Sequence, residues 1–137
     1  MVKLFGPDSE ALVTYANELQ MYSATTAAQG RDLPDFLGAG YLGWGVYFIA
    51  IKYVDGTPLS EMPSLSADVR SAAVAALERL QQTIPGFIHG DIRLHNILLS
   101  SDTAARCVFV DLGRSRLGGS AAEMRQEIKQ LRRLLGQ

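Results

Sequence analysis

The run His89-Gly90-Asp91-Ile92-Arg93-Leu94-His95-Asn96 constrains this chain more than any other segment. Asp91 and Asn96 stand five positions apart, and Asp111-Leu112-Gly113 begins twenty residues after Asp91, just beyond an apolar run. A carboxylate and a carboxamide at that spacing, with a second carboxylate downstream, are the groups that orient a hydroxyl nucleophile and hold a metal–nucleotide. Phe87-Ile88 leads in and Ile97-Leu98-Leu99 leads out, so apolar segments bound the polar loop on both sides. Taken singly, each polar residue reads as a solvated turn. Taken in order, they form one constellation.

The bulk properties narrow the setting. At 137 residues the chain amounts to one domain, long enough for a core and short for a two-lobed enzyme. Apolar residues make up 47% and charged residues 20%, the balance of a folded globular chain. A net charge of -1 gives no electrostatic reason to expect nucleic acid or an anionic membrane as partner. Cys107 has no second cysteine to pair with, which implies a reducing compartment. In Cys107-Val108-Phe109-Val110 it reads as a small buried apolar residue, not a nucleophile. The N-terminus lacks an apolar run leading to a cleavage site, and the most apolar window, Gly43 to Val54, is too short to span a bilayer. The expectation is a cytoplasmic protein, a nuclear one being equally compatible.

Periodicity predicts the element order. Met1 to Phe5 reads as the end of a strand, and Asp8-Ser9 caps a helix from Glu10 to about Ser23 with Leu12, Tyr15, Ala16, Leu19 and Tyr22 on one face. Gln29 to Pro34 reads as a polar loop, Phe36 to Tyr41 and Val46 to Val54 as strands, and Asp55-Gly56-Thr57-Pro58 as a turn. Ser66 or Asp68 opens the strongest helix, with Val69, Ala73, Leu77, Leu80 and Ile84 in a stripe that Pro85-Gly86 stops. Ile97 to Leu99 and Arg106 to Val110 form a small hairpin across the polar turn Ser100 to Ala105. After the break at Gly118-Gly119, Ser120-x-x-Glu123 is a capping box for a last helix carrying Met124, Ile128, Leu131 and Leu135.

The motifs H-x-D-x-x-x-x-N and D-x-G, in that order with strands between them, resemble the catalytic loop and metal-binding segment of the protein kinase-like superfamily. The resemblance runs from about Lys3 to Gly113, with its specific motifs confined to His89–Gly113. It implies an α+β, protein kinase-like fold, truncated to a single domain. Residues 1–54 would be a partial N-lobe: a strand, an αC-like helix and two strands to the hinge. Residues 55–137 would be the hinge and a reduced helical C-lobe carrying the catalytic-loop hairpin. It also implies ATP and Mg²⁺. Asp91 would orient or accept the proton of the attacking hydroxyl, Asn96 and Asp111 would hold the metal, and Arg93 would face the transferred phosphate. His89 resembles the family's structural histidine; His95 has no role that the resemblance assigns.

Two lysines compete for the nucleotide phosphates. Gly38 to Gly45 followed by Ile49-Ala50-Ile51-Lys52 looks like a glycine-rich loop and its lysine strand, but only thirty-nine residues separate Lys52 from Asp91, too few for the elements that must lie between. Lys3, with Glu18 on the first helix as its partner, leaves eighty-eight. Lys3 is therefore the expected phosphate-binding lysine. Ile51 would then line the back of the adenine pocket, and Tyr53 and Val54 would receive adenine on hinge backbone groups.

Departures from the resemblance bear on function. No glycine-rich loop precedes Lys3, and twenty-four residues follow Gly113 without an A-P-E motif. Gly90 stands where many protein kinases carry an arginine that pairs with an activation-loop phosphate, and Leu112 stands where the usual residue is Phe. The implied function is transfer of the γ-phosphoryl group of ATP to a hydroxyl of a protein or small molecule. The hinge and the Lys/Glu spacing look eukaryotic-like, and His-Gly-Asp keeps small-molecule kinases open. The alternative is a catalytically inactive, pseudokinase-like nucleotide-binding or scaffold module. Apolar surface left by a reduced lobe would support a homodimer.

Overall fold

The computed structural model describes residues 1–102 and 105–137. Two three-stranded antiparallel sheets carry the architecture. In the first, β1 (Val2–Phe5) and β2 (Phe36–Gly43) flank β3 (Val46–Ile51), with Lys3 opposite Ile49. In the second, β4 (Gly56–Pro58) and β6 (Cys107–Phe109) flank β5 (Ile97–Ser100). Among the described residues, three α-helices complete the fold: α1 (Ser9–Ala24), α2 (Ala67–Thr83) and α3 (Ala121–Leu134).

Local chemistry accounts for most boundaries. Asp8, Ser66 and Ser120 cap the three helices by accepting a hydrogen bond from a first-turn amide, and Ser120 with Glu123 completes a reciprocal capping box. The α2 stripe is buried at Val69, Ala73, Leu77, Leu80 and Ile84, as its spacing predicts. Ala73 and Ala76, both fully buried, keep that face of α2 low where it packs on β6. The β2–β3 hairpin turns on Trp44 and Gly45, both at positive φ, which is the two-residue geometry whose twist matches the strands. The glycine-rich stretch thus belongs to a strand and its turn. A Cβ at Gly40 would lie 2.9 Å from the Phe48 ring.

Four sequence expectations need correction. Leu12 is exposed and the buried face of α1 is Tyr15, Glu18, Met21 and Tyr22, because the helix turns a carboxylate inward to meet Lys3. The polar loop Gln29–Pro34 buries Leu33 and all of Asp32. Arg79 grips the Asp32 carboxylate at 2.8 Å and 3.1 Å, and the Asp32 carbonyl accepts from the Phe109 amide at 2.9 Å, so the loop is pinned to α2 and β6. Gly56-Thr57-Pro58, read as a turn, is strand β4, paired with Leu98 to Ser100. The strand begun at Val46 stops at Ile51, not Val54, and residues 52–55 connect the two sheets. Of the turn assigned to Ser100–Ala105, residues 103 and 104 lie outside the described residues.

Cys107 is fully buried against α2, and burial pushes its thiol up to about 11, as expected of an inert packing residue. No helix among the described residues is long and apolar enough to cross a membrane.

Candidate active site

The loop from Ile88 to Asn96 is held from three sides. Ile88 and Arg116 exchange backbone hydrogen bonds at 2.9 and 3.0 Å, laying the segment after Gly113 alongside the loop. The approach is close enough that a Cβ at Gly90, where φ is 83°, would fall 2.1 Å from the Arg114 carbonyl oxygen, so only glycine fits. From α3, buried Glu127 accepts from the amides of His89 and Gly90 at 3.0 and 2.9 Å. His89 is fully buried. Its Nδ1 accepts from the Asp91 amide at 3.3 Å, which leaves Nε2 to donate to the Val110 carbonyl at 3.0 Å. That neutral tautomer agrees with burial, which drives the imidazole below its ordinary value.

The loop presents Asp91 and Asn96 together. The Asn96 Nδ2 donates to the Asp91 backbone carbonyl and to its Oδ2, both at 3.0 Å. Arg93 completes the grip with Nε 2.9 Å from Oδ1 and Nη2 3.0 Å from Oδ2. The bidentate, charge-assisted pair fixes the plane of the carboxylate.

Lys3 and Asp111 meet from opposite ends of the chain. Lys3 Nζ lies 2.9 Å from Glu18 Oε2 and 3.1 Å from Asp111 Oδ1. Burial alone would depress the Lys3 ammonium, but Glu18 and then Asp111 outweigh it and hold it above the ordinary lysine value. Burial raises Glu18, partly offset by Lys3. Burial also opposes ionisation of Asp111, yet Lys3 and the Gly113 amide hold it below the usual carboxylate value. Asp111 is in the left-handed region at φ 66°, which few residues with a Cβ adopt and Asp adopts more readily than most.

Lys3, Glu18, Ile51, Asn96 and Asp111 line one cavity of about 220 Å³, closed further by Met1, Tyr22, Ile49 and Val110. The hydroxyl of Tyr22 is sealed there without a hydrogen-bond partner. Asp91 and Arg93 reach this group through Asn96. Tyr53, Val54 and Lys52 line a different cavity, about 460 Å³, together with Asp35, Asp102 and Arg106. His95 is exposed.

The donor set suits a divalent hard cation shared with phosphates. The Asn96 amide nitrogen is spent on Asp91, leaving its oxygen uncommitted among the described residues, and Asp111 offers Oδ2. No cluster of three or more His, Cys, Asp or Glu among the described residues would cage a metal unaided. Mg²⁺ characteristically takes one or two protein oxygens and completes its shell with phosphate and water.

The model of the family described as lipopolysaccharide core biosynthesis protein (WaaY) matches residues 41–135. The chain belongs to the WaaY family. The part matched to the WaaY model holds Asp91, Arg93, Asn96 and Asp111, while Lys3 and Glu18 precede it. The fold is shared with solved structures of WbdD, described as a bifunctional kinase-methyltransferase. One WbdD structure matches with TM-score 0.73 and 18% identity over 95% of this chain and 32% of that one. The monomeric WbdD structure matches with TM-score 0.74 and 18% identity over 98% and 34%. This WaaY-family chain therefore spans about a third of the WbdD chains it matches. No curated protein matches its sequence.

Sequence reasoning missed Glu127, Asn17 and Ser115. A signal for Glu127 existed: it lies on the stripe of Met124, Ile128, Leu131 and Leu135, where a carboxylate has to find a buried partner. Asn17 donates from Nδ2 to the carbonyls of Gly113 and Ser115, and Ser115 Oγ donates to the His89 carbonyl. Neither residue belongs to any spacing pattern.

Proposed function

We propose that this chain transfers the γ-phosphoryl group of ATP to a hydroxyl of a lipopolysaccharide core saccharide. The observation that carries the reading is the convergence of Lys3, Asn96 and Asp111 on one cavity, with Asp91 hydrogen-bonded to Asn96. The saccharide acceptor, in place of a protein, rests on the WaaY family description, and phosphoryl transfer gains support from the fold shared with a kinase-methyltransferase.

In this reading Lys3 turns its ammonium from Asp111 to the nucleotide phosphates, while buried Glu18 keeps it from swinging into solvent. Asn96 and Asp111 would hold Mg²⁺, which would supply charge neutralisation at the phosphates. Asp91, its carboxylate plane set by Arg93 and Asn96, accepts a hydrogen bond from the acceptor hydroxyl and takes its proton as the new O–P bond forms and the bond to ADP breaks. Arg93, exposed beside Asp91, balances charge on the phosphoryl group in flight. Ile51, which lines the same cavity as Lys3, borders the base.

Transfer of radiolabelled γ-phosphate to core oligosaccharide tests the proposal. The chain is expected to label the acceptor in the presence of Mg²⁺, and Asp91→Asn to lose about 10²–10⁴-fold in rate. Equal labelling by both proteins would overturn the assignment. Binding of Mg²⁺-ATP without turnover would favour the scaffold alternative.

A further inference from the structure

Asn17 sits on α1 immediately before Glu18, and both hydrogens of its amide are engaged. Nδ2 donates to the Gly113 carbonyl at 2.9 Å and to the Ser115 carbonyl at 3.0 Å. Each acceptor leads to a different half of the site. Gly113 donates its own amide to Asp111 Oδ1 at 3.2 Å, so the residue that Asn17 holds by its carbonyl holds the Asp111 carboxylate by its N–H. Ser115 donates from Oγ to the His89 carbonyl at 2.7 Å, and the His89 ring accepts from the Asp91 amide. One carboxamide therefore ties the segment carrying Asp111 and the loop carrying Asp91 to the helix that carries Glu18.

The contact is close as well as polar. A Cβ at Gly113 would lie 2.8 Å from the Thr14 methyl and 3.3 Å from Asp111 Oδ1, so the loop runs directly against α1. Two hydrogen bonds from one planar amide fix direction as well as distance. Among the described residues the Asp111 carboxylate accepts only from Lys3 and the Gly113 amide, so whatever anchors Gly113 also sets Asp111. In the phosphoryl-transfer reading, Lys3 is the group that turns from Asp111 to the phosphates.

We infer that Asn17 is a positioning residue for the metal-binding arm, holding Asp111 in register with Asp91 after Lys3 has turned to the nucleotide. The inference rests on the phosphoryl-transfer reading given above.

The test is the Mg²⁺ dependence of ATP binding, measured by calorimetry on the whole chain, for wild type, Asn17→Ala, Asn17→Asp and Asp111→Asn. Asn17→Ala is expected to raise the Mg²⁺ needed for half-saturation about tenfold, the loss of a well-placed hydrogen-bond pair. Asn17→Asp, which is nearly the same shape but sets an acceptor against two carbonyls, raises it further. ATP binding without metal stays unchanged in both, a split that general loosening of α1 would not produce. Amide hydrogen exchange at Gly113 and Ser115 in the absence of nucleotide is expected to quicken in both Asn17 variants. Wild-type Mg²⁺ dependence and wild-type exchange in the Asn17 variants, with Asp111→Asn losing the Mg²⁺ dependence, would overturn the Asn17 assignment alone. A wild-type chain whose ATP binding ignores Mg²⁺ would overturn the phosphoryl-transfer reading, and this assignment with it.

Discussion

Lys3 Nζ lies 3.1 Å from Asp111 Oδ1, joining residues 108 positions apart, one within β1 and one two residues past β6. The pair brings a cation from β1 to the segment after β6, so neither sheet holds the site alone. It also separates the two candidate lysines, since Lys52 lines another cavity.

Lys3→Met is expected to lower kcat/KM for ATP by about 10²-fold, the scale of one lost charge-stabilising donor. Lys52→Met is expected to leave it within about twofold, because a solvated surface charge contributes little. Initial rates over a range of ATP concentrations check both. The reverse ranking would return the phosphate-binding role to Lys52.

Glu127 accepts from two loop amides with a buried carboxylate. Replacing it with alanine leaves two N–H groups unpaired and is expected to cost about 2–4 kcal/mol in urea unfolding. Glu127→Gln keeps one acceptor oxygen and should cost about half as much. Equal losses would mean that the acceptor oxygen kept by Gln contributes nothing.

Gly90 and Gly118 share a positive φ but not their surroundings. Gly118→Ala meets open space and should cost about 1–2 kcal/mol from the left-handed backbone alone. Gly90→Ala drives a methyl into the Arg114 carbonyl and should cost about 3 kcal/mol or more. Thermal unfolding of the two variants compares them directly.

His89 supplies a pH signature. Its folded value is depressed below the ordinary 6.5, so below pH 6.5 the unfolded chain binds a proton that the folded chain refuses. Its effect on stability is nil above that pH and becomes a loss as pH falls through the window, with a slope of at most about 1.4 kcal/mol per pH unit. Glu18, raised by burial, acts in the opposite sense at the acid end. The comparison is therefore between wild type and His89→Asn over pH 5.5–7.5, where the variant is expected to show the flatter profile. Identical slopes would contradict a buried neutral ring.

The sequence made legible whatever local pattern decides. The α2 stripe, the caps at Asp8, Ser66 and Ser120, and the hairpin of β5 and β6 depend on neighbours in sequence, and they form where their residues predict. Lys3 with Glu18 was accessible through chain length. Buried charge was not. Asp32 reads as a loop residue until Arg79 arrives from 47 positions away, and Glu127, although on the apolar stripe of the last helix, has no visible partner until the His89 amide arrives from 38. The same cause shifted the face of α1: Tyr15 and Tyr22 are buried and Leu19 packs on the core as predicted, but Glu18 turns inward to Lys3 and Leu12 is left exposed. β4 was hidden because Gly56-Thr57-Pro58 has turn composition and becomes a strand only when β5 supplies its hydrogen bonds.

A crystal structure of the chain with Mg²⁺ and a non-hydrolysable ATP analogue addresses the central claim most directly. Metal density is expected between the Asn96 side-chain oxygen and the Asp111 carboxylate, with Lys3 moved from Asp111 onto phosphate oxygens while still paired to Glu18. Nucleotide bound elsewhere, or a metal touching neither Asn96 nor Asp111, would contradict it.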